Sequence, residues 1–354
     1  MKKIAYIVDV LSNNNYGKCT GHYIPVAKNF YRILHEISDV IIAAGPSYGS
    51  SITTPIMRLP YSVSSAPGII NNVLGKLKTL ANCRFFFKRV DESCRIIWQH
   101  SSVVMSNLGI WLWSKKNIDI YIIQYSGVGI NSKVKNYLFQ KAKSKIKGVI
   151  CPNDEVGEAY GLPYCVVPDY IYTGEFDSII PIPYAERVYD ICIMGRFNKD
   201  KGVVEAINKL RNSAYKVVVA GRPDNEDYGR EIESAAKDCQ NIELHLGFIE
   251  TDDYNNYIRN SRYCILNYQG EYSVRSSGVV FDIIFNGVPV IGTHCSALQF
   301  VEDFKVGYLF DSLADLNFER LFEEGLYSDY LRNIDSYREY HKIYINKIRN
   351  FIGL

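Results

Sequence analysis

Long apolar runs are missing from this chain of 354 residues. The closest approach, Val103 to Trp113, is interrupted by Ser106, Asn107 and Gly109, and a bilayer-spanning helix needs roughly 18 apolar residues without such breaks. Paired cysteines are missing too. The nine cysteines, at 19, 83, 94, 151, 165, 192, 239, 264 and 295, form no C-x-x-C pair, and no histidine spacing completes a zinc site. Most stand in apolar contexts such as YDICIM and YCILNY, where a reduced thiol packs as a small hydrophobe. A reducing cytoplasm is therefore expected. The opening segment MKKIAYIVDV carries Asp9 inside its apolar stretch, and no small-residue cleavage site follows. It reads as a first strand and not a secretion signal.

Acid is scarce in one half only. Residues 1–150 hold 20 Lys+Arg against 6 Asp+Glu, a net of +14, while the other 204 residues carry −12, which leaves the chain at +2. From Val40 to Val90 there is no acid at all, and from Ile120 to Asn153 there is again none. One lysine run is commonly a solvated helix face; a half-chain this biased implies an anionic partner, whether a phospholipid surface, a polyphosphate or nucleic acid. With 47% apolar and 22% charged residues, disorder and fibrous repeats are excluded, and the length suggests two domains.

Short apolar runs alternate with helical patterns, the signature of parallel sheets with helical crossovers. KKIAYIVDV, DVIIAAG, CRIIWQH, DIYIIQYS, GVICPN and YCVVPDY read as strands of a first unit, and residues 45–75, rich in Ser, Pro and Gly, as a long mobile excursion. The alternation breaks at VVPDYIYTGEFDSIIPIPYAERV and restarts with YDICIMG, KVVVAG, IELHLG, YCILNY, VPVIG and VGYLF. The fold expected is α/β, with two Rossmann-like β/α/β domains facing each other across a cleft. Residues 1–170 form an N-terminal acceptor-binding domain, 171–188 a linker and 189–335 a C-terminal nucleotide-binding domain. Residues 336–354 form a terminal helix packing back on the first domain. Ligands are expected at the carboxyl ends of the strands.

Chemistry concentrates there in the second half. In Met194-Gly195-Arg196-Phe197-Asn198-Lys199-Asp200-Lys201-Gly202 a glycine ends a strand, two cations stand five residues apart and a second glycine opens a helix. That suits a diphosphate; a basic loop capping a helix is the plainer reading. Further on, Glu271-Tyr272-Ser273-Val274-Arg275-Ser276-Ser277-Gly278 precedes VVFDIIFNGVPVIG. Ser276, Ser277 and Gly278 open a helix whose unpaired N–H groups attract anions, although simple N-capping would also place serines there. Asp282, one turn on in an apolar segment, is positioned to accept from ribose hydroxyls. Glu271 is a candidate for a sugar hydroxyl, or a surface loop acid. In the first half, His100 follows the strand CRIIWQ, where an imidazole can orient or deprotonate a hydroxyl, or serve structure alone. Gly17 and Gly21 permit close backbone approach, and Tyr125, Ser126 and Gly127 are further strand-end candidates.

The run from Tyr189 to Phe310 resembles the nucleotide-sugar-binding domain of GT-B glycosyltransferases, particularly the retaining family 4. Their G-R-x-x-x-x-K-G segment is matched by Gly195, Arg196, Lys201 and Gly202, and their E-A-x-x-x-G-x-P-V-I segment at Gly287, Pro289, Val290 and Ile291. Asp282 stands where the family has its ribose-binding glutamate. The resemblance implies that Arg196 and Lys201 hold the donor diphosphate and stabilise it as it leaves. One departure is plain: the family's E-x7-E spacing would put a glutamate at Val274. The donor-sugar contact then falls to Glu271, or to Arg275 and Ser276. No D-x-D triplet occurs, so no metal or other cofactor is expected.

These readings converge on a metal-independent, retaining glycosyltransferase that moves a sugar from a nucleotide-diphosphate donor to a hydroxyl acceptor. The basic half points to an acceptor at the inner face of the cytoplasmic membrane, such as a lipid-linked saccharide of bacterial surface-polysaccharide assembly. The alternatives are a sugar-nucleotide epimerase of the same architecture and a non-enzymatic polyanion-binding protein. No nucleic-acid partner is expected, since the cations do not alternate with stacking aromatics and no reading motif occurs. Donor selectivity is expected to depend on the loops around Glu271 and Phe248.

Overall fold

The computed structural model describes residues 4–12, 14–15, 18–19, 23–51, 54–64, 68–90, 92–99, 103–270 and 277–354. The chain divides into two units, Met1–Thr173 with Ile343–Leu354, and Gly174–Lys342.

Unit 1 is built on strands β1 (Ile4–Asp9), β2 (Asp39–Ala44), β3 (Ile56–Arg58), β4 (Arg95–Trp98), β5 (Asp119–Ile123), β6 (Ile146–Cys151) and β7 (Tyr164–Val166). They form one sheet in the order β3-β2-β1-β4-β5-β6-β7, and every pairing is parallel. Runs such as IAYIVD and DIYII are apolar at nearly every position because both faces are covered. The period-2 alternation then splits the core. Tyr6, Val8, Ile96 and Trp98 pack with Phe86, Phe87, Ile110 and Phe139 on one side. Ala5, Ile7, Ile42 and Ile97 pack with Phe30, Ile33 and Leu34 on the other. The first set of partners lies on helices α2 (Ile69–Arg89), α3 (Val104–Trp113) and α4 (Lys133–Ala142), the second on α1 (Tyr23–Leu34). Trp98 is stacked on Phe87 with ring centroids 5.5 Å apart, and its indole N–H donates to Ser106 Oγ at 2.5 Å.

Residues 45–75 are not the unstructured excursion their composition implies. Ile56–Arg58 adds a strand to the sheet, with Ile56 opposite Ile42, and α2 begins at Ile69. Pro55 and Pro60 bound the strand, which suits a short edge element that cannot donate further along the ladder.

Unit 2 repeats the plan with β8 (Tyr189–Phe197), β9 (Val217–Pro223), β10 (Ile242–Leu246), β11 (Ser261–Leu266), β12 (Val290–Thr293) and β13 (Gly307–Phe310). The order is β10-β9-β8-β11-β12-β13, again all parallel. Connecting helices are α5 (Asp154–Tyr160) in unit 1, then α6 (Val203–Leu210), α7 (Glu226–Ala236), α8 (Thr251–Arg259), α9 (Gly278–Phe285), α10 (Gln299–Asp303) and α11 (Phe318–Leu321) in unit 2. The final helix, α12, runs unbroken from Glu324 to Phe351. It starts well before the stretch from 336 that reads as amphipathic, because Tyr327, Tyr330, Ile334 and Tyr337 are buried at three- and four-residue spacing. Its last turns pack in unit 1, where Ile348 and Ile352 join the core and Arg349 Nε donates to Ile33 O at 2.7 Å.

The start of the second sheet is clasped by Arg187, which is buried. Its guanidinium donates to Ser261 O at 2.6 Å, Ile182 O at 3.2 Å and Gly287 O at 3.3 Å. Burial lowers its pKa, and one guanidinium serves all three carbonyls. Arg187→Ala is expected to cost about 3 kcal/mol, because hydrogen bonds to a charged group are lost and buried acceptors are left behind. Urea unfolding should show the fall as a lower midpoint with an unchanged slope.

Among the described residues no helix is long and apolar enough to cross a membrane. The eight cysteines whose side chains are described are all free thiols, most of them buried.

Candidate active site

The strand order of unit 2 reverses direction at β8, whose neighbours are β9 and β11. Open parallel sheets form their ligand crevice at the carboxyl ends of the strands at such a point. Here those ends are Gly195-Arg196-Phe197 of β8 and Asn267-Tyr268 after β11.

Gly195 has φ +115°, and a Cβ there would meet Val279 Cγ2 at 3.3 Å and Lys201 Nζ at 3.5 Å. The glycine thus lets the end of β8 approach both the first turn of α9 and the lysine. The chain then makes a single 3-10 turn, Lys199–Lys201, which Gly202 terminates in the left-handed conformation (φ 51°, ψ 37°). Gly202 is required twice over, since a Cβ would lie 2.2 Å from Asn267 Nδ2. That amide instead donates to Gly202 O at 3.0 Å. The tight turn folds Lys201 inward until it is only 8% exposed, with Nζ 5.9 Å from the centre of the Tyr268 ring.

Burial lowers the Lys201 pKa to about 8, with Asp224 working against the shift and Arg196 adding to it. An anion brought beside an ammonium in so dry a place would favour its charged form and raise its pKa again. Tyr268 links it to α9, its hydroxyl lying 2.6 Å from Ser277 Oγ. Ser277 precedes the first turn of α9 but makes no side-chain cap bond to it. Asn198 Oδ1, in the loop leading to Lys201, is buried and has no hydrogen-bond partner among the described residues.

The residues singled out from sequence are therefore sorted into three places. Gly195, Lys201, Ser277 and the start of α9 at Gly278 come together. Arg196 does not join them in this structure: its side chain is 77% exposed and Nε is paired with Asp224 Oδ1. Asp282 faces α8, where Tyr254 Oη donates to its Oδ2 at 3.3 Å. Burial raises the Asp282 pKa to about 7, the Tyr254 hydrogen bond opposing and the charge of Glu175 reinforcing the rise. His100, Gly17, Gly21, Glu271, Arg275 and Ser276 lie outside the described residues.

No known family profile matches the sequence, and no curated protein is significantly similar to it. Solved structures are similar over the full length. A trehalose-phosphate synthase (UDP-forming) from Burkholderia xenovorans, in complex with glucose-6-phosphate, superposes with a TM-score of 0.68 at 8% identity, over 99% of this chain and 100% of that one. The E. coli protein bound with UDP-2-fluoro glucose gives 0.68 at 8% identity, over 99% of each. AviGT4, a glycosyltransferase involved in avilamycin A biosynthesis, gives 0.60 at 12% identity, over 99% of this chain and 98% of that one. The chain has the GT-B fold. The likeness spans trehalose-phosphate synthases as well as AviGT4, so it is to GT-B at large and does not single out family 4.

Within this GT-B chain, sequence reasoning passed over Tyr268, Asn267, Tyr254 and Asp224. Tyr268 and Asn267 had a usable signal, since they end the strand YCILNY that lies beside β8 at the reversal. Tyr254 and Asp224 had none, being 28 residues from the partners they meet. In unit 1 the corresponding strand ends hold Asp9 and Gln99. Asp9 is buried and accepts from Leu11 N, Ser12 N and Tyr48 Oη at 2.9, 2.7 and 2.8 Å, which fixes the turn after β1. Gln99, at the end of β4, is 8% exposed, and neither amide atom has a hydrogen-bond partner among the described residues. A buried amide in that state is costly unless a hydroxyl-bearing ligand completes it.

Proposed function

We propose that the chain is a glycosyltransferase that moves a sugar from a nucleotide-diphosphate donor to a hydroxyl acceptor, with retention at the anomeric carbon and without a metal. The observation that carries this reading is the buried Lys201 ammonium beside the start of α9, to which the Ser277 side chain makes no cap bond, at the carboxyl-end reversal of a GT-B second unit. The acceptor oxygen bonds to the anomeric carbon as the bond from that carbon to the diphosphate oxygen breaks. The hydroxyl proton leaves with the nucleoside diphosphate or passes to solvent. Charge growing on the leaving oxygens is met by Lys201 and the α9 N–H groups, donors already in place before the reaction. Arg196 joins on releasing Asp224, and Asp282 accepts from a ribose hydroxyl. Unit 1 takes the acceptor, with Gln99 a hydrogen-bonding partner for its hydroxyl.

The acceptor is proposed to be a lipid-linked saccharide at an anionic membrane surface, as in surface-polysaccharide assembly. The +14 charge of residues 1–150 supports this.

A panel of nucleotide-sugars and nucleoside diphosphates, read by thermal shift, tests the donor site. The true donor should raise the melting temperature, and keep raising it with the logarithm of its concentration once that exceeds Kd. No shift with any member would contradict the reading. Incubating the stabilising nucleotide-sugar without acceptor separates transfer from epimerisation, since an epimerase turns over alone.

A further inference from the structure

Helix α2 presents two unlike faces. Thr79, Asn82, Cys83, Phe86 and Phe87 are buried against the sheet of unit 1. On the opposite side Ile70, Leu74, Leu77, Ala81, Arg84 and Lys88 recur every three or four residues and form a single stripe. A helix on the surface of a globular unit carries polar residues there. This one carries apolar ones: Ile70 is 74% exposed, Leu77 58% and Leu74 47%, with Ile69 beside them at 84%. The stripe runs into a groove of about 430 Å³ lined by Tyr61, Arg84, Phe85, Lys88, Arg89 and Trp113, among others. Lys76 and Lys78 flank the apolar part, and the helix holds no acid.

We infer that this face of α2 docks on an anionic lipid bilayer. The N-terminal half would lie in the interface, with Arg84, Lys88 and Arg89 against lipid phosphates. An outward apolar stripe edged by cations is what an interfacial helix requires. Nucleic acid would use the cations but offers no place for Ile70, Leu74 and Leu77. A second copy of the chain would bring two acid-free basic helices together, which like-charge repulsion opposes. The inference deepens the membrane part of the proposed function and rests on it for its purpose. Vesicle binding needs neither donor nor acceptor, however, so its failure would leave the donor site standing.

The test is co-sedimentation of the full chain with vesicles of phosphatidylcholine alone and with about 30 mol% phosphatidylglycerol, at about 50 and about 150 mM salt. Wild type should sediment with the anionic vesicles only, more strongly at low salt. The double variant Ile70→Asn/Leu77→Asn should bind about tenfold less, with its melting temperature and nucleotide binding unchanged because both side chains point to solvent. In Leu74→Trp, the fluorescence should shift to the blue on adding anionic vesicles. Absence of sedimentation at either salt would overturn the proposal, and so would binding that Ile70→Asn/Leu77→Asn leaves intact. A lipid-free dimer that the same double variant abolishes would overturn it too, by assigning the stripe to a second copy.

Discussion

Lys201→Met is expected to lower turnover by more than about tenfold, on the order of 1.4 kcal/mol or more of barrier, while making the protein without nucleotide more stable. The two effects share a cause. The folded-state pKa of Lys201 is lowered to about 8 from 10.5, so the native state resists holding the proton. Such a group's contribution is fully present above the unfolded value and lost as pH falls from about 10.5 through 8. At neutral pH the buried ammonium therefore costs on the order of 3–4 kcal/mol, at about 1.4 kcal/mol per pKa unit. Methionine fills the same space without charge and removes that cost. A lysine kept for structure would give the opposite sign, with stability falling on replacement. Paired kinetics and thermal melts at pH 7 read both effects, and a variant that kept full activity would remove Lys201 from the donor site.

Asp282→Asn is expected to separate stability from donor affinity in the same way, with a different pH signature. The carboxyl pKa is raised to about 7 from 3.8. Its stabilising share is complete below about 3.8 and is lost as pH rises through about 7. Asparagine keeps an oxygen for the Tyr254 hydroxyl and does not titrate. The variant should match wild type in stability near pH 4, gain steadily to pH 7 and stay ahead above it, by on the order of 4 kcal/mol. Donor affinity should move the other way. In wild type it rises as Asp282 ionises towards pH 7 and falls as Lys201 deprotonates above pH 8, giving a maximum between. In the variant the acid limb disappears and the overall affinity drops. Calorimetric titration with a nucleoside diphosphate from pH 6 to 9 follows both limbs, and an unchanged acid limb would exclude Asp282 from donor binding.

The doubly wound α/β character of both units was legible because β-branched runs such as YDICIM and KVVVAG punctuate helical patterns with little ambiguity. The Gly195–Gly202 loop was legible for a local reason: two glycines in positive-φ conformations and the buried lysine lie within eight consecutive residues. What sequence could not supply is the partner of each side chain. Arg196 and Lys201 look equivalent on the line of sequence. In space the strand carries one outward to Asp224, while the 3-10 turn folds the other beneath Tyr268. The expectation of an anionic partner rests on the lack of acid from Val40 to Val90. The outward stripe of α2 was hidden because Ser, Pro and Gly from 45 onward suit a loop, and the buried positions that reveal the helix's inner face begin only at Thr79.

The most direct test is a crystal structure with a nucleoside diphosphate bound. The account predicts phosphate oxygens within hydrogen-bonding distance of Lys201 Nζ and of the first N–H groups of α9, with the ribose towards Asp282. A nucleotide seated in unit 1, or at any place that leaves Lys201 untouched, would contradict it.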